Sequence, residues 1–183
     1  GITKRIIIVA SPAVQENFKI QLFDERKLKE VDGLWNIKAC TGNKFIKEIN
    51  PMNMKGLTRH RVVRQVKRII SQSYHFQGYI EFSNYISRVM QKTIGKKDGP
   101  DLIKRKQQRS LQREFSNRML VIDEVHNLRI TGEGTIKPSS ENLLTLVTNA
   151  SNLKLLLLSA TPMFNDYQEI IWLLNLLNLN DKR

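Results

Sequence analysis

Residues 118–126 read RMLVIDEVH and residues 154–164 read KLLLLSATPMF. In each, an apolar run stops abruptly at small, polar or acidic residues, and Ser159 follows Asp123 by 36 positions. An apolar run ending in adjacent carboxylates is the pattern of a buried parallel strand that delivers acidic side chains to the carboxyl edge of a sheet, where α/β folds bind their ligands. Asp123 and Glu124 are expected at such an edge. Nucleoside triphosphate chemistry needs a strand-end Asp that holds Mg²⁺, usually through water, and a neighbouring carboxylate that orients the attacking water and accepts its proton. A lone Asp-Glu pair more often opens a solvated loop. The four apolar residues before this one, His126 after it, and Ser159-Ala160-Thr161 at the end of a second run turn the reading toward chemistry.

These residues resemble motifs of the superfamily 2 helicases and translocases, whose second motif has the form DExH and whose third is SAT. Here they are Asp123-Glu124-Val125-His126 and Ser159-Ala160-Thr161-Pro162. The resemblance implies that Asp123 serves Mg²⁺, that Glu124 is the catalytic base for ATP hydrolysis, and that His126, Ser159 and Thr161 couple nucleotide state to nucleic-acid binding. Within the superfamily, IIIVASPAVQENFKIQLFDERKL (6–28) is similar to motif Ia of the Swi/Snf-like helicases and transcription ATPases of large nucleocytoplasmic DNA viruses, and YHFQGYIEFSNYI (74–86) is similar to the same group. The resemblance covers about two thirds of the chain and is weakest over 88–117. It implies an α/β fold: a RecA-like doubly wound parallel sheet flanked by helices.

The phosphate-cradling pattern GxxxxGK[ST] occurs nowhere in the 183 residues. In the family that loop lies just upstream of motif Ia. The expectation is therefore a partial first RecA-like lobe over 1–183, lacking its first strand and P-loop and the second lobe that brings the arginine finger, and inactive as an ATPase by itself. The parent would be an ATP-dependent translocase on DNA or RNA, with ATP and Mg²⁺ as cofactors, the second lobe and transcription machinery as partners, and no membrane. A restriction or repair translocase would share motifs II and III, but the stretches 6–28 and 74–86 point away from it. The alternative is a non-hydrolysing nucleic-acid-binding or scaffold subunit whose P-loop has degenerated. Retention of Asp123, Glu124, Ser159 and Thr161 argues against it.

Composition agrees. Thirty Lys and Arg against seventeen Asp and Glu give +13, a charge that favours a polyanionic partner, because clustered cations gain affinity by releasing counterions from phosphates. A hydrophobic content of 40% is enough for one core. The single cysteine, Cys40, rules out an intramolecular disulfide framework, suits a small apolar position at a strand end, and fits a reducing intracellular compartment such as host cytoplasm or a virion. No segment reaches the roughly 18–20 apolar residues of a membrane span, and RIIIVAS is too short for a signal sequence. His60 and His75 have no partner at metal-ligand spacing.

The elements that must position these groups alternate between strand and helix patterns. The pattern predicts a strand at 5–10 and a helix opened by Pro12 with Val14, Phe18 and Leu22 on one face. A strand at Trp35–Cys40 and a turn at Thr41-Gly42-Asn43 come next. Thr58 is expected to cap a helix with Val62, Val63, Val66, Ile69 and Ile70 inward. A strand over Gln72–Tyr79 and a helix over 80–91 follow. Residues 91–117, rich in Lys and Arg, read as a basic insertion or linker, partly helical after Asp101. A strand at 118–122, a polar loop at 129–139, a helix opened by Ser139 or Ser140, a strand at 153–158 and a last helix from about 166 complete the pattern. Asn165 with Gln168 resembles a capping box.

Three surfaces are candidates for nucleic acid. Ser11, Pro12 and Gln15 stand at the strand-to-helix turn of the motif Ia stretch, where helix N–H groups meet phosphate, although Ser11 also suits a plain N-cap. Arg61, Arg64 and Arg68 form a stripe that could equally be a solvated face. The run Lys104–Arg113 suits nonspecific phosphate contact through flexibility. Tyr74, Phe76, Tyr79, Phe82 and Tyr85 are spaced for core packing better than for base stacking. The last helix, with Ile170, Ile171, Trp172, Leu173, Leu174, Leu176 and Leu177, is apolar almost all round, so an isolated lobe is expected to expose part of it.

Overall fold

In the computed structural model, which describes residues 2–39, 41–128, 138–163 and 167–183, the elements run β1 (Ile6–Val9), α1 (Pro12–Leu22), β2 (Leu28–Val31), β3 (Leu34–Ile37), α2 (Gly42–Ile49), α3 (Arg59–Ser73), β4 (Tyr74–Gln77), α4 (Tyr79–Gln91), α5 (Pro100–Phe115), β5 (Met119–Ile122), α6 (Pro138–Asn149), β6 (Lys154–Leu157) and α7 (Gln168–Asp181). Short 3-10 turns lie at Glu25–Lys27 and Val125–Leu128. The chain divides into one unit of residues 1–11 and 76–183 and another of residues 12–75.

The first unit is built on a sheet ordered β4-β1-β5-β6. β1 pairs with β5 and β5 with β6, both parallel, with Val9, Ile122 and Leu157 in one row. IIIV and MLVI are short apolar runs rich in β-branched residues, and Ile7, Ile8, Val9, Leu120, Val121 and Ile122 are all buried, as strands covered on both faces require. Alternate residues Ile7, Val9, Leu120 and Ile122 share a core with Phe82 and Ile86 of α4, Leu111 and Phe115 of α5, Leu143 and Leu146 of α6, and Trp172 and Leu176 of α7. This is a RecA-like α/β architecture, as the resemblance implied.

Within residues 91–117 the helix expected after Asp101 is α5. Gly99 precedes Pro100, which suits the first helical turn, and α5 then runs sixteen residues. Its cations other than Lys106 are exposed, while Ser110, Leu111 and Phe115 are buried. Phe115 meets Phe82 edge-on at 6.5 Å and Tyr85 at 5.5 Å. The Tyr85 hydroxyl donates to Glu114 at 2.5 Å. Burial and that carboxylate push the phenol up to about 12, so it remains a donor.

In the second unit, β2 and β3 form an antiparallel hairpin with Val31 opposite Leu34. This replaces the single strand expected over Trp35–Cys40. The physical reason is the two-residue loop Asp32-Gly33, with φ of 53° and 77°. Positive φ at both loop positions gives the twist that a tight hairpin needs, and an Asp-Gly pair supplies it at low cost. Cys40 lies outside the described residues. Thr58 caps α3 as expected, its side chain accepting from Arg61 N, with Val62, Val66 and Ile70 buried and Val63 and Ile69 only partly so.

Thr41-Gly42-Asn43 is not a free turn, because Gly42 is the first residue of α2. Thr41 Oγ1 instead donates to the carbonyls of Gln21 and Leu22 at 3.1 and 2.9 Å, and Asn43 Oδ1 accepts from Ile37 N at 2.9 Å. A Cβ on Gly42 would stand 2.5 Å from Ile37 Cγ2, and Ile37 is 0% exposed. Gly42→Ala is therefore expected to cost about 1–3 kcal/mol by overpacking, more than the roughly 1 kcal/mol that alanine returns through helix propensity. Chemical denaturation reads the difference; an unchanged or raised midpoint would show that Ile37 yields.

Other boundaries shift. α3 continues through Ser73, which shortens the strand expected at 72–79 to β4. α6 begins at Pro138, which puts Ser139 and Ser140 inside the helix; the Ser140 hydroxyl, wholly buried, donates to the Leu128 carbonyl. The loop expected at 129–139 lies outside the described residues up to 137, as does Asn165; α7 begins after Tyr167, which makes no side-chain cap bond. On α7, Trp172 and Leu176 are buried while Ile171 and Leu174 are 45% and 54% exposed, in line with the exposure expected of that helix. No helix among the described residues is long and apolar enough to cross a membrane.

Candidate active site

Parallel pairing brings several chain turns out at one edge. Asp123 N donates to the Val9 carbonyl at 2.9 Å, and Leu158 N to the Ile122 carbonyl at 2.8 Å, carrying the ladder one residue past β5 and β6. Ala10 N donates to the Gln77 carbonyl at 3.0 Å. Ser11, Tyr79, Asp123 and Ser159 therefore all follow strand ends on the carboxyl side of one sheet, the side where open α/β sheets place their ligands.

The chain reverses at once after Asp123. Glu124 has φ of 44°, a left-handed conformation that costs a residue with a Cβ about 1–3 kcal/mol. Val125 N then donates to Leu158 O at 3.1 Å and Asn127 N to Glu124 O at 2.9 Å, locking the 3-10 turn against the end of β6. Val125 and Leu128 anchor that turn in the core.

The Asp123 and Glu124 side chains are each half-buried. Asp123 makes no side-chain hydrogen bond or ion pair with another described residue. Glu124 Oε2 is buried and accepts no hydrogen bond, although 41% of the side chain is exposed. His126 Nδ1 is 3.2 Å from that oxygen. It is not aligned to donate there, so the contact is an ion pair only when the imidazole is protonated. The same nitrogen is 3.4 Å from Ser159 Oγ, a long bond joining the ends of β5 and β6. Ser159 Oγ in turn accepts from Thr161 N at 3.2 Å, and Thr161 is exposed.

The structure thus gathers Asp123, Glu124, His126 and Ser159, with Thr161 attached through Ser159. Ser11 belongs to the same unit. Pro12 and Gln15, on the first turn of α1, and Arg61, Arg64 and Arg68, exposed on α3 away from Val62 and Val66, belong to the unit of residues 12–75.

Tyr79 is the residue that sequence reasoning assigned only to packing. Its ring packs against the core, but its hydroxyl donates to the Asp123 carbonyl at 3.0 Å and also meets the Asn127 side chain and the Ser11 backbone. Burial, foremost, holds its phenol above the ordinary value. The hydroxyl therefore ties together the turns that follow β1 and β5. The available signal was position, since Tyr79 comes directly after a glycine at a strand end. Tyr79→Phe should cost about 0.5–1.5 kcal/mol in denaturant unfolding; equal stability would mean the hydroxyl holds nothing.

Among the described residues no three His, Cys, Asp or Glu side chains are clustered to hold a metal. One carboxylate with a second beside it is nonetheless the donor set that suits Mg²⁺, which is usually bound through one or two carboxylates together with water and substrate phosphates. Asp123, with no ion pair to another described residue, fits that requirement, and Glu124 offers an acceptor without a donor among the described residues.

A RecA-like sheet with an Asp-Glu pair at its carboxyl edge places acidic groups where open α/β folds bind their ligands. Comparison with known sequences makes this specific: the chain belongs to the SNF2-related domain family, which matches residues 42–181. It is 26% identical, over 96% of its own length and 14% of the relative's, to a protein of Acanthamoeba polyphaga mimivirus named provisionally as an ATP-dependent RNA helicase. To a protein of Heliothis virescens ascovirus 3e with the same provisional name it is 29% identical, over 74% of its own length and 12% of the relative's. The chain thus spans about an eighth to a seventh of these relatives.

Proposed function

We propose that the chain is part of the first RecA-like lobe of an ATP-driven motor that tracks along DNA or RNA, and that Asp123 and Glu124 are its Mg²⁺-serving and water-activating carboxylates. The observation that carries the reading is Glu124 itself, held in a left-handed turn at the sheet edge with a buried carboxylate oxygen that no donor among the described residues satisfies. Mg²⁺ bound with ATP would supply charge neutralisation on the β- and γ-phosphates. Asp123 would hold that ion through water, and Glu124 would orient the attacking water and take its proton. His126 and Ser159 bridge the ends of β5 and β6, so a shift at one strand end is passed to the other. Ser11, Pro12, Gln15, Arg61, Arg64 and Arg68 are proposed to meet the nucleic acid, on the ground of the chain's charge of +13 and the motif Ia resemblance. The phosphate cradle and arginine finger that hydrolysis needs would be supplied by further polypeptide, with transcription in a viral setting as the process served.

The test is ATP hydrolysis by the longest polypeptide that carries these residues, with and without DNA and RNA. Turnover stimulated by nucleic acid is expected. The lack of GxxxxGK[ST] in these 183 residues favours a second reading, a non-hydrolysing nucleic-acid-binding subunit. Nucleic-acid binding with no hydrolysis in that polypeptide would select it.

A further inference from the structure

Away from the sheet edge, a surface pocket of about 230 Å³ is lined by Thr93, just beyond α4, and by Lys106, Arg109, Ser110 and Arg113 of α5. Arg109 and Arg113 are one helical turn apart. Like charges at that spacing cost a few tenths of a kcal/mol in a helix, and no carboxylate among the described residues pairs with either side chain. Lys106 is different: Asp98 takes it at 2.7 Å, and Asp98 is itself fixed by Gly95 N at 2.6 Å. Two guanidinium charges are thus left uncompensated at the pocket wall.

The pocket floor is polar and ordered. Ser110 is only 6% exposed, and its hydroxyl is 3.0 Å from that of Thr93. One of the two donates to the other, so one hydroxyl proton of the pair remains for another acceptor. Arg forks match the geometry of phosphate oxygens bidentately, and about 230 Å³ corresponds to roughly eight waters at ~30 Å³ each, room for a phosphate group. Arg105, exposed one turn before Arg109 on α5, continues the positive charge beyond the pocket. A ligand with repeated phosphates answers that arrangement better than a single anion.

We propose that this pocket is a phosphate-binding site that takes a phosphodiester group of a nucleic-acid backbone, with Arg109 and Arg113 as its charged clamp and Thr93 and Ser110 as its polar floor. The proposal rests on the nucleic-acid reading given above. It replaces diffuse contact along a flexible run with a built site on a helix whose other face is core.

The test compares the 183-residue chain with Arg109→Ala/Arg113→Ala and with a charge-matched control, Lys29→Ala/Lys47→Ala, both pairs being exposed. Affinity for a labelled single-stranded oligonucleotide is measured across a salt series, with circular dichroism to verify folding. Loss of the two arginines should lower the steepness of log affinity against log salt by about 0.7, the single-strand value for the one phosphate they clamp, while the control changes it little. Equal changes in both variants would mean net charge alone matters and would overturn the pocket. If the parent chain binds no oligonucleotide, the nucleic-acid reading fails. Calorimetric binding of inorganic phosphate, lost in Arg109→Ala/Arg113→Ala, would then mark a site for free phosphate and overturn the backbone assignment.

Discussion

Glu124→Gln, placed in the complete polypeptide, should lower ATP hydrolysis by about 10²–10⁴-fold, the usual contribution of a positioned general base, while nucleotide binding stays largely intact. The amide keeps the size and shape of the carboxylate but cannot accept the proton of an attacking water. Because Glu124 Oε2 takes no hydrogen bond from another described residue, the substitution breaks no hydrogen bond seen at that oxygen, and the protein should fold normally. Full turnover in the variant would remove Glu124 from the role of base. Lost nucleotide binding would point instead to a structural part. The measurements are steady-state hydrolysis and equilibrium binding of a labelled nucleotide.

The largest expected effect on stability is at Phe115. Its ring is fully buried on α5 and meets Phe82 and Tyr85 edge-on. Phe115→Ala should cost about 3–5 kcal/mol, part of it from aromatic pairs worth about 0.5–1.5 kcal/mol each beyond area. In the chain itself a loss of that size approaches the total stability of many domains, so the milder Phe115→Leu is the useful companion and should fall between. Denaturant unfolding checks both. A near-neutral Phe115→Ala would show that α5 is a detachable appendage after all.

Why α5 read only as the helical part of a basic insertion or linker is instructive. Its cations and glutamines dominate the composition of 91–117, and its buried contribution comes from few positions, chiefly Leu111 and Phe115. Only tertiary packing reveals that these two complete the core. The strands β1, β5 and β6 were legible because each is a continuous apolar run, the mark of a strand covered on both faces. The Asp123-Glu124 edge was legible for the same reason, since the run breaks where the sheet ends. The hairpin was missed although its Asp-Gly loop was in view. β2 reads Leu-Lys-Glu-Val and offers little apolar signal, so the turn chemistry had to carry the assignment unaided. Tyr79 escaped notice because its ring satisfies a packing role, and no spacing rule announces where a hydroxyl ends.

With Glu124 as the proposed base, its left-handed turn makes folding and chemistry compete for one residue. Glycine would adopt φ of 44° freely and would leave no carboxylate oxygen buried without a donor. A chain optimised for stability alone would therefore abandon glutamate at this position. On the role proposed for Glu124, the molecule holds a local deficit in reserve, the kind of trade seen where activity is kept at the expense of robustness, and stabilising substitutions sought across this chain should be expected to converge on the position assigned to the base.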